Sequence, residues 1–132
     1  MKDDRLYLIH IRECIARITA YVKGGQQEFM DSILIQDAVL RNLQTFSEST
    51  QRLSQDFKSQ HASIDWRGIA AFRNILVHNY LGINLERVWG IIETDFGAFK
   101  KVFQKIFKDL DLPKKPKSIR KTRKVDRKKK SS

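Results

Sequence analysis

Arg73-Asn74-Ile75-Leu76-Val77-His78-Asn79-Tyr80 decides how this chain is read. It sets a guanidinium, an imidazole and a phenol close together, inside a longer run from Asp65 to Asn84 that has helical patterning. At roughly 100° per residue, Ile69, Phe72, Ile75 and Leu76 fall in one arc of about 120°, which reads as the core face. Arg73, Asn74 and His78 fall outside that arc, and Tyr80 lies at its margin. Asn74 and His78, an i,i+4 pair, are neighbours on a helix. Arg73 and His78 are about 140° apart round the same helix. They cannot meet as simple neighbours. A shared site needs the reach of the arginine, fraying after Asn79, or a second copy of the helix facing the first.

Outward from this stretch the chain reads as amphipathic helices. Leu8, Ile11, Ile15, Ile18 and Val22 repeat at three- and four-residue steps and predict a first helix from about Asp3 to Val22. Asp3 and Asp4 sit at its positive end, and Lys23-Gly24-Gly25 stops it. Gln26 to Met30 reads as a connection. Asp31 or Ser32 caps a second helix to about Gln55, with Ile35, Val39, Leu43, Phe46 and Leu53 on its apolar face. Gln55 to Ser63 is polar and irregular. Asp65 is the expected cap of the third helix, with Ile64 and Ile69 as a hydrophobic staple. Trp66 and Phe72 help to seat it. Leu81-Gly82-Ile83 breaks that helix, and Asn84 caps a fourth. The fourth carries Val88, Trp89, Ile92, Phe96, Phe99, Phe103, Ile106 and Leu110 as a long stripe, part of which suits a dimer interface.

No segment alternates as a strand does, and no repeat of solenoid length is visible. The fold class is therefore all-α, an up-and-down bundle of four main helices. Residues 1–112 form the bundle and residues 113–132 a basic tail. The net charge of +11 belongs almost wholly to that tail. Residues 113–132 hold eleven Lys or Arg against Asp126, giving +10, whereas residues 1–112 hold fifteen bases and fourteen acids, giving +1. With almost nothing apolar to bury, the tail is expected to be disordered when free. It suits contact with RNA phosphates through counterion release, without base selectivity, and equally a solubilising role.

No apolar run of about 18 residues is present, which argues against a transmembrane helix. The charged start does not resemble a cleavable signal, and a lone Cys14 fits a reducing, cytoplasmic setting. Cys14 lies in line with Ile11, Ile15 and Ile18 and reads as a buried small apolar residue. His10, with Glu13 and Cys14 at i+3 and i+4, has a spacing that could hold a metal. No partner cluster accompanies it, so it reads as a surface or half-buried histidine. His61 has no partner that the sequence names. Glu48 follows Phe46 by two residues, where a neighbouring helix could reach it. The ordinary reading of Glu48 is a solvated acid.

The chemistry available to Arg73 and His78 is that of RNA strand cleavage. Histidine passes a proton near neutrality, and a guanidinium offsets charge growing on a scissile phosphate. The nucleophile is the ribose 2′-hydroxyl of the RNA itself, so neither metal nor cofactor is required. Spacing alone leaves a structural role for both residues open.

The sequence Arg73 to Tyr80 resembles the Arg-x4-His-x-Tyr signature of the HepT toxins of the HEPN superfamily. Ile64-Asp65-Trp66, Ile69 with Phe72, and Leu85 with Val88-Trp89 resemble that family's flanks. The run from Leu43 to Leu53 is similar to its second long helix. The resemblance covers roughly residues 1–110 and implies a homodimeric HEPN-like bundle in which two motifs line one cleft. It further implies a metal-independent endoribonuclease toxin of a type VII toxin–antitoxin module. Arg73 would then hold phosphate, His78 act as general base or acid, and Asn74 and Glu48 support the site. The antitoxin partner implied is an MntA-like nucleotidyltransferase that adds AMP to Tyr80, filling the cleft and setting negative charge against Arg73. The alternative is a non-catalytic helical subunit that presents nucleotide or substrate to such a nucleotidyltransferase. The basic tail is not explained by the resemblance.

Overall fold

α3, Ile33–Gln51, is the spine on which the other helices pack. Its apolar face buries Val39, Leu43 and Phe46 completely. The Phe46 ring sits among Phe72, Phe96, Phe99 and Phe103, with centroids 6.4, 5.7, 6.3 and 5.9 Å away. Four aromatic neighbours thus surround one fully buried ring. The computed structural model describes residues 2–78, 82 and 84–113, without the side chains of residues 2, 3 and 78.

α1, Lys2–Tyr21, lies along one side of α3 and buries Leu8, Ile11, Ile15 and Ile18. The two run antiparallel. Asp4, near the start of α1, accepts from the backbone N–H and the hydroxyl of Ser54 at 2.7 and 2.6 Å, just beyond the end of α3. The chain turns after α1 at Gly25, whose φ of 91° is left-handed and suits glycine. The stretch expected to be a plain connection instead forms a short helix α2, Gln26–Asp31, because Phe29 is wholly buried against Trp89. Ser32 then caps α3 by accepting from the Ile35 N–H.

The polar segment after α3 also holds a helix, α4, Gln55–Gln60. Ser54 caps it and Phe57 plugs it into the core. Sequence polarity hid this turn because Phe57 is its one buried residue. α5, Trp66–His78, follows. Asp65 accepts from the Gly68 N–H at 2.9 Å, so the cap forms as the sequence predicts, and Ile64 and Ile69 on either side of it are both buried.

The last rod runs without a break from Leu85 to Leu110, as α6 (Leu85–Gly90), a π-helical segment (Ile91–Phe96) and α7 (Gly97–Leu110). Asn84 caps it by accepting from the N–H groups of Glu86 and Arg87. The π-helical widening was not legible in the pattern. Leu110, expected in the apolar stripe, is 40% exposed, and Leu112 is buried instead. The αL residue Asp111 reverses the chain and makes that exchange. Arg12 donates to the carbonyls of Leu112 and Pro113, tying this end to α1.

Four long helical rods and two short helices thus give an all-α bundle, with no strand among the described residues. Among the described residues no helix is long and apolar enough to cross a membrane. The expected disordered tail falls, but for Pro113, outside the described residues.

Candidate functional site

The site is built where α3 and α5 pack side by side. Phe46 and Phe72 stack at their interface with an interplanar angle of 9°, which fixes the two helices against each other. Two residues beyond Phe46 stands Glu48, and one beyond Phe72 stands Arg73. The aromatic contact therefore delivers the carboxylate to the guanidinium. Arg73 Nη2 and Glu48 Oε2 are 3.8 Å apart, with side chains 31% and 41% exposed. Glu48 is thus paired with Arg73 and not simply a solvated acid.

That distance is an ion pair longer than a hydrogen bond. It orients the guanidinium while leaving its N–H donors unspent on the carboxylate. Gln44, one turn before Glu48, donates to the same Oε2 at 3.4 Å and steadies it. Gln44 was missed at the sequence level, although its i,i+4 spacing to Glu48 was there to be seen. Arg73 Nε is buried and has no hydrogen-bond partner among the described residues.

Asn74 is exposed on α5. His78 is the last residue of that helix, and its side chain lies outside the described residues. Tyr80, the expected modification site, also lies outside them. The structure therefore brings Arg73 and Glu48 together. What the described part can do chemically is hold an anion at a half-buried arginine whose pose is set from a neighbouring helix.

The remaining candidates are structural or exposed. Cys14 is buried, and desolvation pushes its thiol up to about 11, with Arg17 opposing and Glu13 adding slightly. A thiol held in that form is a poor nucleophile. His10 is exposed and meets the Tyr7 ring edge-on at 6.2 Å. His61 packs on Phe57 with ring centroids 4.4 Å apart and tilted by 38°, a partner that the sequence did not name. Among the described residues there is no group of three or more His, Cys, Asp or Glu that could hold a metal ion.

Comparison with known proteins places these residues in a family. The sequence model for HepT-like proteins, described as "Ribonuclease HepT-like", matches residues 11–106. The chain belongs to the HepT-like ribonuclease family. Glu48, Arg73, Asn74 and His78 all lie within the matched stretch.

Individual relatives agree. The chain is 33% identical over 111 residues to a "Gamma-glutamylcyclotransferase and putative RNase" of Methanocaldococcus jannaschii, covering 83% of this chain and 50% of that protein. It therefore spans about half the length of that relative. A "Putative RNase" of the same organism is 32% identical over 111 residues, covering 83% of this chain and 92% of the relative. The "Probable ribonuclease HepT" of Thermococcus cleftensis is 31% identical over 108 residues, covering 81% and 98%. No solved structure matches the chain significantly.

Proposed function

We propose that this chain is a metal-independent endoribonuclease that acts as the toxin of a toxin–antitoxin module. The observation that carries the reading is the half-buried Arg73, oriented by Glu48 from the adjacent helix, inside the stretch matched by the HepT-like family. Such a guanidinium suits the scissile phosphate of RNA, where charge grows in the transition state. In the proposed step the 2′-oxygen attacks the adjacent phosphorus and the 5′-oxygen leaves. His78 takes the 2′-hydroxyl proton, or supplies one to the departing 5′-oxygen. The products are a 2′,3′-cyclic phosphate and a free 5′-hydroxyl. Asn74 supports the site from the exposed face of α5.

Under this reading the active form is a homodimer in the cytoplasm, with two copies of α5 sharing one cleft. That arrangement answers the angular gap between Arg73 and His78. Residues 1–112 form the catalytic body, and the basic segment 113–132 adds affinity for RNA phosphates. An MntA-like nucleotidyltransferase neutralises the toxin by placing AMP on Tyr80, which sets negative charge beside Arg73.

The test is cleavage of end-labelled RNA by the purified full chain in the presence of a chelator. Wild type is expected to leave cyclic phosphate ends, and His78→Ala and Arg73→Ala to be inactive with unchanged helix content. Undiminished cleavage by His78→Ala overturns the assigned role. Co-expression with the nucleotidyltransferase is expected to add one or more AMP masses to wild type and none to Tyr80→Phe.

A further inference from the structure

We propose that the open groove between α4 and the first two turns of α5 is a second RNA subsite, which holds the strand a few nucleotides from Arg73. The proposal rests on the ribonuclease reading above and extends it. The groove has a volume of about 530 Å3 and is lined by Lys58, Ser59, Trp66, Arg67 and Ala70, among others.

Two cations stand in it. Among the described residues the one ion pair within 4.0 Å is that of Arg73 with Glu48, so neither Lys58 nor Arg67 is neutralised by a contacting carboxylate. Lys58 Nζ donates to the Gln51 carbonyl at 3.2 Å, which spends one of its three donors. Arg67 is exposed. Asp65, two residues before Arg67, is turned to the Gly68 N–H that it caps.

Between the cations lies a held aromatic. Trp66 Nε1 donates to the carbonyls of Lys58 and His61 at 3.3 and 3.2 Å. Its ring meets Phe57 and Phe103 edge-on, at 6.3 and 6.0 Å. An indole fixed in this way and still partly exposed offers a base a stacking surface without sequence preference. None of the exposed large apolar residues (Leu6, Ile33, Leu34, Val77 and Leu110) lines the groove, which favours a polyanion over a protein partner.

The groove also leads toward the site. Arg67, Ala70 and Asn74 are spaced i, i+3 and i+7 and share one stripe of α5. Arg73 lies about 9 Å further along the helix axis than Arg67, and His78 about 16 Å. A strand seated on Trp66 and Arg67 and running along α5 reaches the level of Arg73 within a few nucleotides.

The test uses the full chain with Lys58→Gln and Arg67→Gln, together and singly. Binding is measured in a His78→Ala background, with a fluorescent single-stranded RNA, as a function of salt. Loss of two phosphate contacts is expected to flatten the slope of log K against log salt by about 1.4, and Arg67→Gln alone by about 0.7. With His78 intact, KM for a long RNA is expected to rise about tenfold, and the difference from wild type to shrink as the substrate is trimmed toward the cleaved bond. An unchanged slope and KM overturn the subsite. So does a change in oligomeric mass by light scattering, which would assign the groove to a protein interface. If wild type cleaves no RNA but the slope still falls, the ribonuclease reading fails and the groove stands. If cleavage requires Arg73 and His78 but the glutamine variants match wild type, only the groove fails.

Discussion

Glu48 on α3 faces Arg73 on α5 across 3.8 Å, an ion pair set by the stacking of Phe46 on Phe72 next to it. Both side chains are about a third exposed or more, so solvent screens the attraction. The pair contributes on the order of 0.2–1 kcal/mol to stability. Its worth lies in where it holds the guanidinium.

Glu48→Gln keeps the shape and removes the charge. It is expected to cost less than about 1 kcal/mol in urea unfolding. RNA cleavage is expected to fall about tenfold, which corresponds to about 1.4 kcal/mol of lost transition-state stabilisation. Faster cleavage would mean that the carboxylate competes with phosphate for Arg73, and would reverse the role given to it.

Asp4 is expected to matter well beyond its position near the chain start. Its carboxylate takes both the backbone N–H and the hydroxyl of Ser54, and Ser54 in turn caps α4. Asp4→Ala leaves those donors without their acceptor and is expected to cost about 1.5–3 kcal/mol. Ser54→Ala in the Asp4→Ala background should then add less than it does alone, because the two act as a unit. Additive losses in denaturant melts would refute that coupling.

Gly90 and Gly97 bracket the π-helical segment with ordinary helical angles, φ −58° at each. A methyl group at either position meets nothing within 4 Å. Alanine at each site should therefore stabilise the rod by about 0.5–1 kcal/mol, by removing backbone freedom from the unfolded chain. A drop in melting temperature for both variants would show that the widened turn needs glycine beside it.

Cys14 supplies a pH dependence. Desolvation raises its thiol from 9.0 to about 11 in the folded chain. The folded state thus favours the neutral thiol, and the associated stability is complete below pH 9 and lost as pH climbs toward 11. The urea midpoint should fall over that window, and less so in Cys14→Ala. At pH 8 the native thiol should resist a thiol reagent that labels the unfolded chain at once.

The four long rods were legible because each carries an apolar stripe at helical spacing and a polar cap. Ser32, Asp65 and Asn84 all cap as their types suggest. The two short helices were hidden because each is anchored by a single phenylalanine, Phe29 or Phe57, and one residue makes no period. Leu110 misled because the stripe gives no sign that Asp111 adopts a left-handed turn. Of the candidate site, the positions of Arg73 and Asn74 outside the core face of α5 were legible from helical spacing. Glu48 was marked by its place two residues after Phe46, but read there as a solvated acid, because its pairing with Arg73 depends on a stacked Phe pair that no local pattern encodes.

The tie from Arg12 to the carbonyls of Leu112 and Pro113 has a practical consequence when taken with the bond from Asp4 to Ser54. Both fasteners reach outside residues 11–106, the span that the family model matches. A truncated protein trimmed to that span would shed both, and Leu8 with them, although Leu8 is only 1% exposed. The smallest piece that keeps its shape is therefore wider at both ends than the piece that the family model matches.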